Sequence, residues 1–296
     1  MIETNLYRNQ RIANYKLLSL LGTGKSGEVW ASLQEGSKDI VALKVYRQSA
    51  QSAQRSLYEY EMARQVRNEY ILSPTNRFEE NGLYCIVMPL CEGRSLNNLT
   101  GYMKEEDVWM VMHDVGTALH ALHLQHIVHH DVKPSNILLR DGHYYLSDFG
   151  SCCEENKSAR GDRIVSDDSS FKYDAPEVMR NQTVTASDIW SLGATVFHLF
   201  MGCHVFNGMG GHNQHERSPL PYMRKELPEL SKLICRCLSF NPSDRPTAQT
   251  VVANALEMLE KTNSNDCHNT SRPLRPMKQS ANQAINPNEF WPEEML

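Results

Sequence analysis

The prediction of the fold rests on the stretch His129-His130-Asp131-Val132-Lys133-Pro134-Ser135-Asn136-Ile137-Leu138. It places a carboxylate, a lysine and an asparagine on one short loop before an apolar strand. Asp148-Phe149-Gly150 follows twelve residues beyond Asn136. Each fragment alone could be a turn, because Asp, Asn and Gly are turn residues. The ordered set has no such simple explanation.

The polar groups of this set suit phosphate chemistry. Asn136 and Asp148 offer two hard oxygen ligands of the kind that hold a Mg²⁺ ion bound to substrate phosphates. Asp131 remains as an acceptor for a hydroxyl proton, and Lys133 as a cation near the transferred group.

A glycine-rich segment, Gly22-Thr23-Gly24-Lys25-Ser26-Gly27-Glu28-Val29, lies between two predicted strands. Its glycines let the backbone approach phosphate oxygens without a clash from Cβ. A strand rather than a helix follows, which favours a flap over a nucleotide instead of a dinucleotide-binding turn. A plain hairpin with glycine turns is the alternative.

Lys44 ends the apolar strand segment Val41-Ala42-Leu43-Lys44. A strand lysine that faces a cleft needs a counter-ion, and the next predicted helix supplies Glu59 and Glu61. A solvated helix face is the commoner position for a glutamate, and it is the alternative for both.

The order of predicted elements indicates an α+β protein of two lobes with a cleft between them. Strands and one helix, Ala53–Val66, make up the first part, and long helices dominate beyond Cys91. The predicted strands are Tyr15–Leu21, Glu28–Leu33, Ile40–Tyr46, Asn76–Glu79, Leu83–Pro89 and Tyr144–Leu146, and the later helices are Glu105–Gln125, Ser187–Met201, Leu227–Leu238 and Thr247–Glu260.

Composition limits the classes of protein that fit. With 296 residues, 41% hydrophobic, and a net charge of −5, the chain is globular, and a basic nucleic-acid-binding coat is not expected. The 8 cysteines form no CxxC pair, which favours reduced thiols in the cytoplasm. The start lacks a secretory signal. The uncharged stretch Ile189–Phe206 has many polar interruptions, which favours a buried helix capped by Ser187 over a membrane span.

The two ends of the chain are predicted to lie outside the folded body. Residues 1–11 are expected to be an N-terminal extension, and residues 261–296 are rich in Asn, Pro, Ser and Gln, which predicts a flexible tail. Phe290-Trp291-Pro292 in this tail either docks on the body or on a regulatory partner, or stays unpacked.

Together the motifs resemble those of eukaryotic-type (Hanks-type) protein kinases. Ala175-Pro176-Glu177, Asp188-Ile189-Trp190-Ser191-Leu192-Gly193 and Asp244-Arg245-Pro246 match further blocks of that family. The resemblance implies a bilobal protein-kinase domain over residues 12–260, with ATP and Mg²⁺ as cofactors. Its small β-rich N-lobe, with one key helix, would span residues 12–90, and its larger helical C-lobe residues 92–260.

The resemblance also assigns an ATP site. Lys44 would hold the α- and β-phosphates and pair with Glu59, which the family's helix-to-strand spacing selects over Glu61. Met88 would be the gatekeeper beside the adenine. The ATP-binding residues implied in this way are Leu21, Gly22, Gly24, Gly27, Val29, Ala42, Lys44, Met88, Pro89, Cys91 and Leu138.

The same resemblance implies the chemistry and the substrate. Asp131 would be the catalytic base with Lys133 beside it, and Asn136 and Asp148 would hold magnesium. Lys133 in the pattern Asp-x-Lys-Pro-x-x-Asn is typical of serine/threonine kinases. The segment that receives the protein substrate would involve Ser170, Glu177 and Arg245, the last two as a pair. A serine/threonine-protein kinase is therefore predicted, with a pseudokinase-like nucleotide-binding scaffold as the alternative and a small-molecule kinase as a third option.

Two histidine features depart from the family or invite another interpretation. His130 stands where most members have an arginine that pairs with a phosphate on the activation loop. An imidazole is a poorer, pH-dependent partner, so we expect activity to depend less on loop phosphorylation. A metal site is an alternative to structural roles for four histidines that recur every three residues: His120, His123, His126 and His129.

Overall fold

A computed structural model describes residues 6–24, 26–91, 93–156, 171–180, 182–218 and 227–266. The described residues up to Glu260 form one compact unit; of the second unit, 261–296, residues 261–266 are described, and they are helical. Within these ranges, no helix is both long enough and apolar enough to cross a membrane.

The first lobe is an antiparallel sheet of six strands in the order β1-β2-β3-β4-β6-β5. The strands are β1 Arg11–Ile12, β2 Tyr15–Thr23, β3 Gly27–Gln34, β4 Ile40–Tyr46, β5 Asn76–Glu80 and β6 Leu83–Pro89. Because side chains alternate along a strand, Leu43 and Val45 enter an apolar cluster on one face, and Lys44 and Tyr46 lie on the other. The predicted strands of this lobe are confirmed.

The segment predicted as an N-terminal extension is in contact with this sheet. The Asn9 N–H donates to the Leu17 carbonyl at 2.8 Å, and the Leu17 N–H donates to the Gln10 carbonyl at 2.9 Å. Ile12 is buried, and Leu6 packs against the same apolar cluster. The described residues before position 12 are therefore held on the sheet by backbone hydrogen bonds.

The first helix, α1 Ser52–Gln65, buries few of its residues. Only 4 of its 14 are buried, Ser52, Ser56, Glu59 and Ala63. They are three or four positions apart and so share one helix face. This face is small and polar, so apolar burial contributes little to holding α1.

The second lobe is helical, as predicted. Its helices are α2 Glu105–His123, α3 Thr185–Met201, α4 Pro228–Cys237 and α5 Ala248–Asp266, with short strands β7 Gly93–Ser95, β8 Ile127–Val128, β9 Ile137–Arg140, β10 His143–Leu146 and β11 Cys153–Glu154. Helix α3 is the centre of this lobe, because 13 of its 17 residues are buried. The uncharged stretch Ile189–Phe206 is therefore a core helix as far as Met201, where α3 ends.

Helix boundaries differ from the predicted ones by up to six residues, and two of these differences have a clear physical reason. Helix α3 begins at Thr185, so the prediction that Ser187 caps it is wrong. The Thr185 N–H instead donates to Glu155 Oε1 at 3.0 Å, and Ser187 donates to Glu177 Oε1 at 2.6 Å. Helix α5 extends to Asp266, past the predicted end at Glu260, because the following residues are polar but include no Gly or Pro.

Candidate active site

Lys44 lies among three carboxylate oxygens on the inner face of β4. Its Nζ is 2.7 Å from each oxygen of Glu59 and 3.2 Å from Oδ1 of Asp148. Burial alone would lower the pKa of Lys44, but Asp148 and Glu59 outweigh it and raise that pKa well above its ordinary value. The ammonium therefore stays charged. Glu61, the alternative partner, is exposed on the same helix.

Polar contacts from three directions position α1, and therefore Glu59. The Tyr46 hydroxyl donates to Glu59 Oε2. Arg77 of β5 donates to Ser56 Oγ at 3.0 Å and to the Ala53 carbonyl at 3.1 Å. The Tyr58 hydroxyl donates to the Cys152 carbonyl at 2.5 Å. The positioning roles of Tyr46, Arg77 and Tyr58 were not predicted from the sequence; for Tyr46 a signal exists, since it lies two positions after Lys44 and so on the same face of the strand.

The loop between β8 and β9 brings together three predicted site residues. Lys133 Nζ lies 2.9 Å from Asp131 Oδ1. The Asn136 amide donates to Asp131 Oδ2 at 2.8 Å and to the Asp131 carbonyl at 2.9 Å. The Asp131 carboxylate is thus oriented through both oxygens, one by a cation and one by an amide.

A buried aspartate on α3 anchors this loop. Asp188 accepts the backbone N–H groups of His129 at 2.8 Å and His130 at 2.9 Å, and Nε2 of His123 lies 2.9 Å from it. Burial would raise the pKa of Asp188, but its hydrogen bond with His123 and the charge there lower it below the ordinary value. Its sequence signal was an acid within an otherwise apolar helix.

The four regularly spaced histidines do not converge. His123 contacts Asp188, and His126 is exposed and lies 3.2 Å from Glu155. His129 is buried with its ring edge against Phe149. Among the described residues, no three His, Cys, Asp or Glu side chains form a group that could hold a metal ion. The structure therefore favours structural roles for these histidines.

Ser147 connects the segments that carry Asn136 and Asp148. Both the Ser147 N–H and its hydroxyl donate to the Asn136 carbonyl, at 2.9 and 3.0 Å. Lys44 lowers the pKa of Asp148, so this carboxylate is anionic at neutral pH. Its side chain is 43% exposed. Two oxygen donors of this kind fit a divalent cation that takes its other ligands from phosphates and water.

The residues predicted around adenine lie on neighbouring strands. Ala42 of β4 is paired with Met88 of β6, and Pro89 is the last residue of that strand. Val29 of β3 is paired with Lys44, and Leu138 is on β9 of the second lobe. The remaining members, Leu21 and Cys91, are at the end of β2 and just beyond β6.

The three glycines of the β2–β3 segment have different surroundings. A Cβ on Gly22 or Gly24 would meet no atom within 4 Å, so the space beside them is open. A Cβ on Gly27 would lie 1.9 Å from the Val45 carbonyl oxygen. Gly27 is thus required by the close packing of β3 on β4, which is a different reason from the predicted approach to phosphate.

Glu177 and Arg245 form a buried bidentate pair. Arg245 Nη1 lies 2.6 Å from Oε1 and Nη2 lies 2.8 Å from Oε2 of Glu177. Burial would raise the pKa of Glu177, but Arg245 lowers it below its ordinary value. Ser170, predicted in the same substrate-binding segment, lies outside the described residues.

Comparisons with known proteins identify one family model and several relatives. The family model of the protein kinase domain matches residues 15–256. The chain is 29% identical over 81% of its length to mouse "Serine/threonine-protein kinase Nek3" and covers 48% of that protein. It is 28% identical to the Aurora kinase of Schizosaccharomyces pombe, covering 83% of the chain and 72% of the relative. It is also 28% identical to the Caenorhabditis elegans "Membrane-associated tyrosine- and threonine-specific cdc2-inhibitory kinase wee-1.3", covering 80% of the chain and 36% of the relative. The chain therefore spans less than half of the mouse and nematode relatives.

Proposed function

The chain belongs to the protein kinase domain family, and from this premise we propose that it is a serine/threonine-protein kinase that uses ATP and Mg²⁺. The observation that carries the proposal is the 2.9 Å contact between Lys133 Nζ and Asp131 Oδ1. A lysine there places a cation beside the carboxylate that accepts the hydroxyl proton, the arrangement that the resemblance associates with Ser and Thr substrates.

Catalysis would come mainly from positioning and charge. The substrate hydroxyl oxygen forms a bond to the γ-phosphorus, the bond from that phosphorus to the bridging oxygen breaks, and ADP leaves. Asp131 accepts the hydroxyl proton, and Asn136 fixes its orientation. Lys44 binds the α- and β-phosphates. Magnesium held by Asn136 and Asp148 would neutralise phosphate charge.

The class of hydroxyl that is phosphorylated is tested directly by analysing the product. Incubation with γ-labelled ATP, Mg²⁺ and a generic protein should give phosphoserine and phosphothreonine. Asp148→Ala should abolish incorporation, and Asp39→Ala, a change at an exposed aspartate between β3 and β4, should not. Predominant phosphotyrosine would contradict the proposed specificity, which matters because one relative is named as tyrosine- and threonine-specific.

The pseudokinase-like alternative makes a different prediction in the same assay. A scaffold would bind nucleotide but incorporate no label above the Asp148→Ala background. The contacts of the predicted site residues support an active enzyme instead. Lys44 contacts Glu59 and Asp148. Asn136 contacts Asp131 and also Ser147, the chain neighbour of Asp148.

We also propose a protein substrate and a cytoplasmic location. The buried Glu177–Arg245 pair supports a protein substrate, because it holds the segment that the resemblance assigns to binding an extended chain. Every cysteine in the described ranges is a thiol, which supports a reducing compartment. A regulatory partner that binds through the tail stays a prediction, since residues 267–296 lie outside the described ranges.

A further inference from the structure

Tyr46 is in direct contact with the ion pair of the candidate site. It is the last residue of β4 and is 2% exposed. Its hydroxyl donates to Glu59 Oε2, and Lys44 Nζ lies 5.4 Å from the centre of its ring. One aromatic side chain thus contacts both members of the pair.

The direction of this hydrogen bond is fixed by the chemistry of the two groups. Burial raises the pKa of the Tyr46 hydroxyl above its ordinary value, so it keeps its proton in any assay near neutral pH. The Glu59 carboxylate bound to Lys44 can only accept. Tyr46 is therefore a lasting donor to Oε2.

The backbone at Gly150 also comes close to this carboxylate oxygen. A Cβ placed on Gly150 would lie 3.4 Å from Glu59 Oε2. Oε2 of Glu59 therefore has two neighbours, the Tyr46 hydroxyl and the glycine that follows Asp148 and Phe149. Since α1 buries only a small, polar face, such contacts rather than apolar area define where Glu59 stands.

Lys44 alone would hold Glu59 less firmly. Its ammonium is a point charge on a flexible four-carbon stem, and its donors rotate freely. Tyr46 has only two side-chain torsions and extends from the same strand, so it offers a donor at a fixed place. The hydrogen bond from Tyr46 therefore restrains the Glu59 carboxylate relative to β4.

We propose that Tyr46 is a positioning residue for phosphoryl transfer, and this rests on the proposed function. Its hydroxyl fixes the Glu59 carboxylate, and that carboxylate fixes Lys44 where it meets the nucleotide phosphates. Neither the predicted ion pair nor the family resemblance assigns a role to this position.

The first test compares Tyr46→Phe with Tyr15→Phe, a buried tyrosine of the same lobe that stacks on Phe78. Loss of a hydrogen bond to a charged group should lower kcat about ten-fold in Tyr46→Phe. The KM for the protein substrate should not change, because Tyr46 does not contact that substrate. Tyr15→Phe should retain the wild-type kcat. A wild-type kcat in Tyr46→Phe would overturn the inference.

The second test asks whether Tyr46 acts through Glu59. The change Tyr46→Phe is introduced into Glu59→Ala, and kcat is compared with that of Glu59→Ala alone. If the hydroxyl works by holding the carboxylate, its removal has no further effect there. A second ten-fold loss would show that Tyr46 has only a general structural role, and it would overturn the inference.

A measurement on the folded wild-type protein covers the case in which Tyr46→Phe does not fold. A tyrosine hydroxyl proton in a buried hydrogen bond to a carboxylate should exchange slowly and give a resolved proton resonance that Glu59→Ala abolishes. Its persistence in Glu59→Ala, or its absence from the wild type, would contradict the inference. An inactive wild-type protein would instead contradict the proposed function and leave this resonance as the test of the contact.

Discussion

Two buried carboxylates hold the two halves of the candidate site, and they do so in different ways. Asp188 accepts two backbone N–H groups, from His129 and His130, and belongs to a helix with 13 of 17 residues buried. Glu59 is bound by the side chains of Lys44 and Tyr46, on a helix with 4 of 14 residues buried.

Because they are held differently, Asp188 and Glu59 are expected to contribute differently to stability and to activity. The loop with Asp131 is part of the second lobe's core, because its backbone is bonded to the central helix α3. The Lys44 side of the site depends on polar side-chain contacts to α1, which apolar packing does not lock in place. Damage to the first carboxylate should therefore mainly lower the free energy of unfolding, and damage to the second should mainly reduce catalysis.

The largest effect is expected for Asp188→Ala. It leaves two buried N–H groups without their acceptor and removes the partner of His123. The free energy of unfolding should fall by about 3–5 kcal/mol, as for other broken buried pairs. Denaturant unfolding measures this, with the exposed Asp39→Ala as control. A loss no larger than that of the control would contradict the comparison.

Glu59→Ala should show the reverse balance. We expect kcat/KM to fall about 100-fold, or about 2.7 kcal/mol of transition-state stabilisation. The loss of unfolding free energy should be smaller than for Asp188→Ala, because Lys44 keeps Asp148 as a partner at 3.2 Å. Steady-state kinetics measures the loss of kcat/KM, and denaturant unfolding measures the loss of stability. Unfolding as severe as that of Asp188→Ala would break the distinction between the two carboxylates.

Arg77→Met tests whether β5 also positions α1. The change keeps an apolar stem but removes the hydrogen bonds to Ser56 and the Ala53 carbonyl. We expect kcat to fall about 5-fold, in line with the loss of modest hydrogen bonds. Arg11→Met, at a 67% exposed ion pair, is the matched control. Equal kinetics of the two variants would show that Arg77 does not position α1.

The second lobe also contains an ionisable group that its core holds neutral. Burial is the main cause that lowers the pKa of His198, and electrostatic repulsion from His204 and Lys172 adds to it; together they bring this pKa to about 4. Below the ordinary pKa of 6.5 the unfolded chain binds a proton that the folded chain does not, so stability should fall as pH decreases from 6.5 to 4. Between pH 6.5 and 4, the free energy of unfolding of His198→Gln should fall by up to about 1 kcal/mol less than that of the wild type. The difference is small because solvent partly screens this imidazole. Unchanged pH dependence of thermal unfolding would contradict the assignment.

The smallest effect is expected from removing hydroxyls of the activation loop. Because Tyr46, Arg77 and Tyr58 hold α1 without any phosphate, changing Ser158, Ser166 and Ser169 together to alanine should leave kcat within about 3-fold of wild type. These three serines lie outside the described residues, and a fourth hydroxyl of the predicted loop, that of Thr183, is left unchanged because this residue is 3% exposed in the folded protein. Near-complete loss of activity with the fold retained would show that α1 depends on loop phosphorylation after all.

Local patterns in the sequence predicted the strands of the first lobe and the helices of the second. The position of Lys44 at the end of an apolar strand segment predicted a lysine that faces the cleft, and family spacing selected Glu59. The contacts that position these residues were not predictable, because they join distant segments: Arg77 meets Ser56 across 21 positions and Asp188 meets His129 across 59. The start of α3 was misplaced for the same reason, since its first N–H is satisfied by Glu155, 30 positions away.

The proposed function requires that the candidate site transfers a phosphoryl group with Asp131 as the acceptor of the hydroxyl proton. The most direct test compares the wild type with Asp131→Asn in two assays. Calorimetry should show that both bind ATP, because Asp131 is assigned to the hydroxyl proton and not to the nucleotide. Transfer of the labelled γ-phosphoryl group should fall by at least about 1,000-fold in Asp131→Asn. Equal transfer by the two proteins, or no ATP binding by folded wild type, would contradict the account.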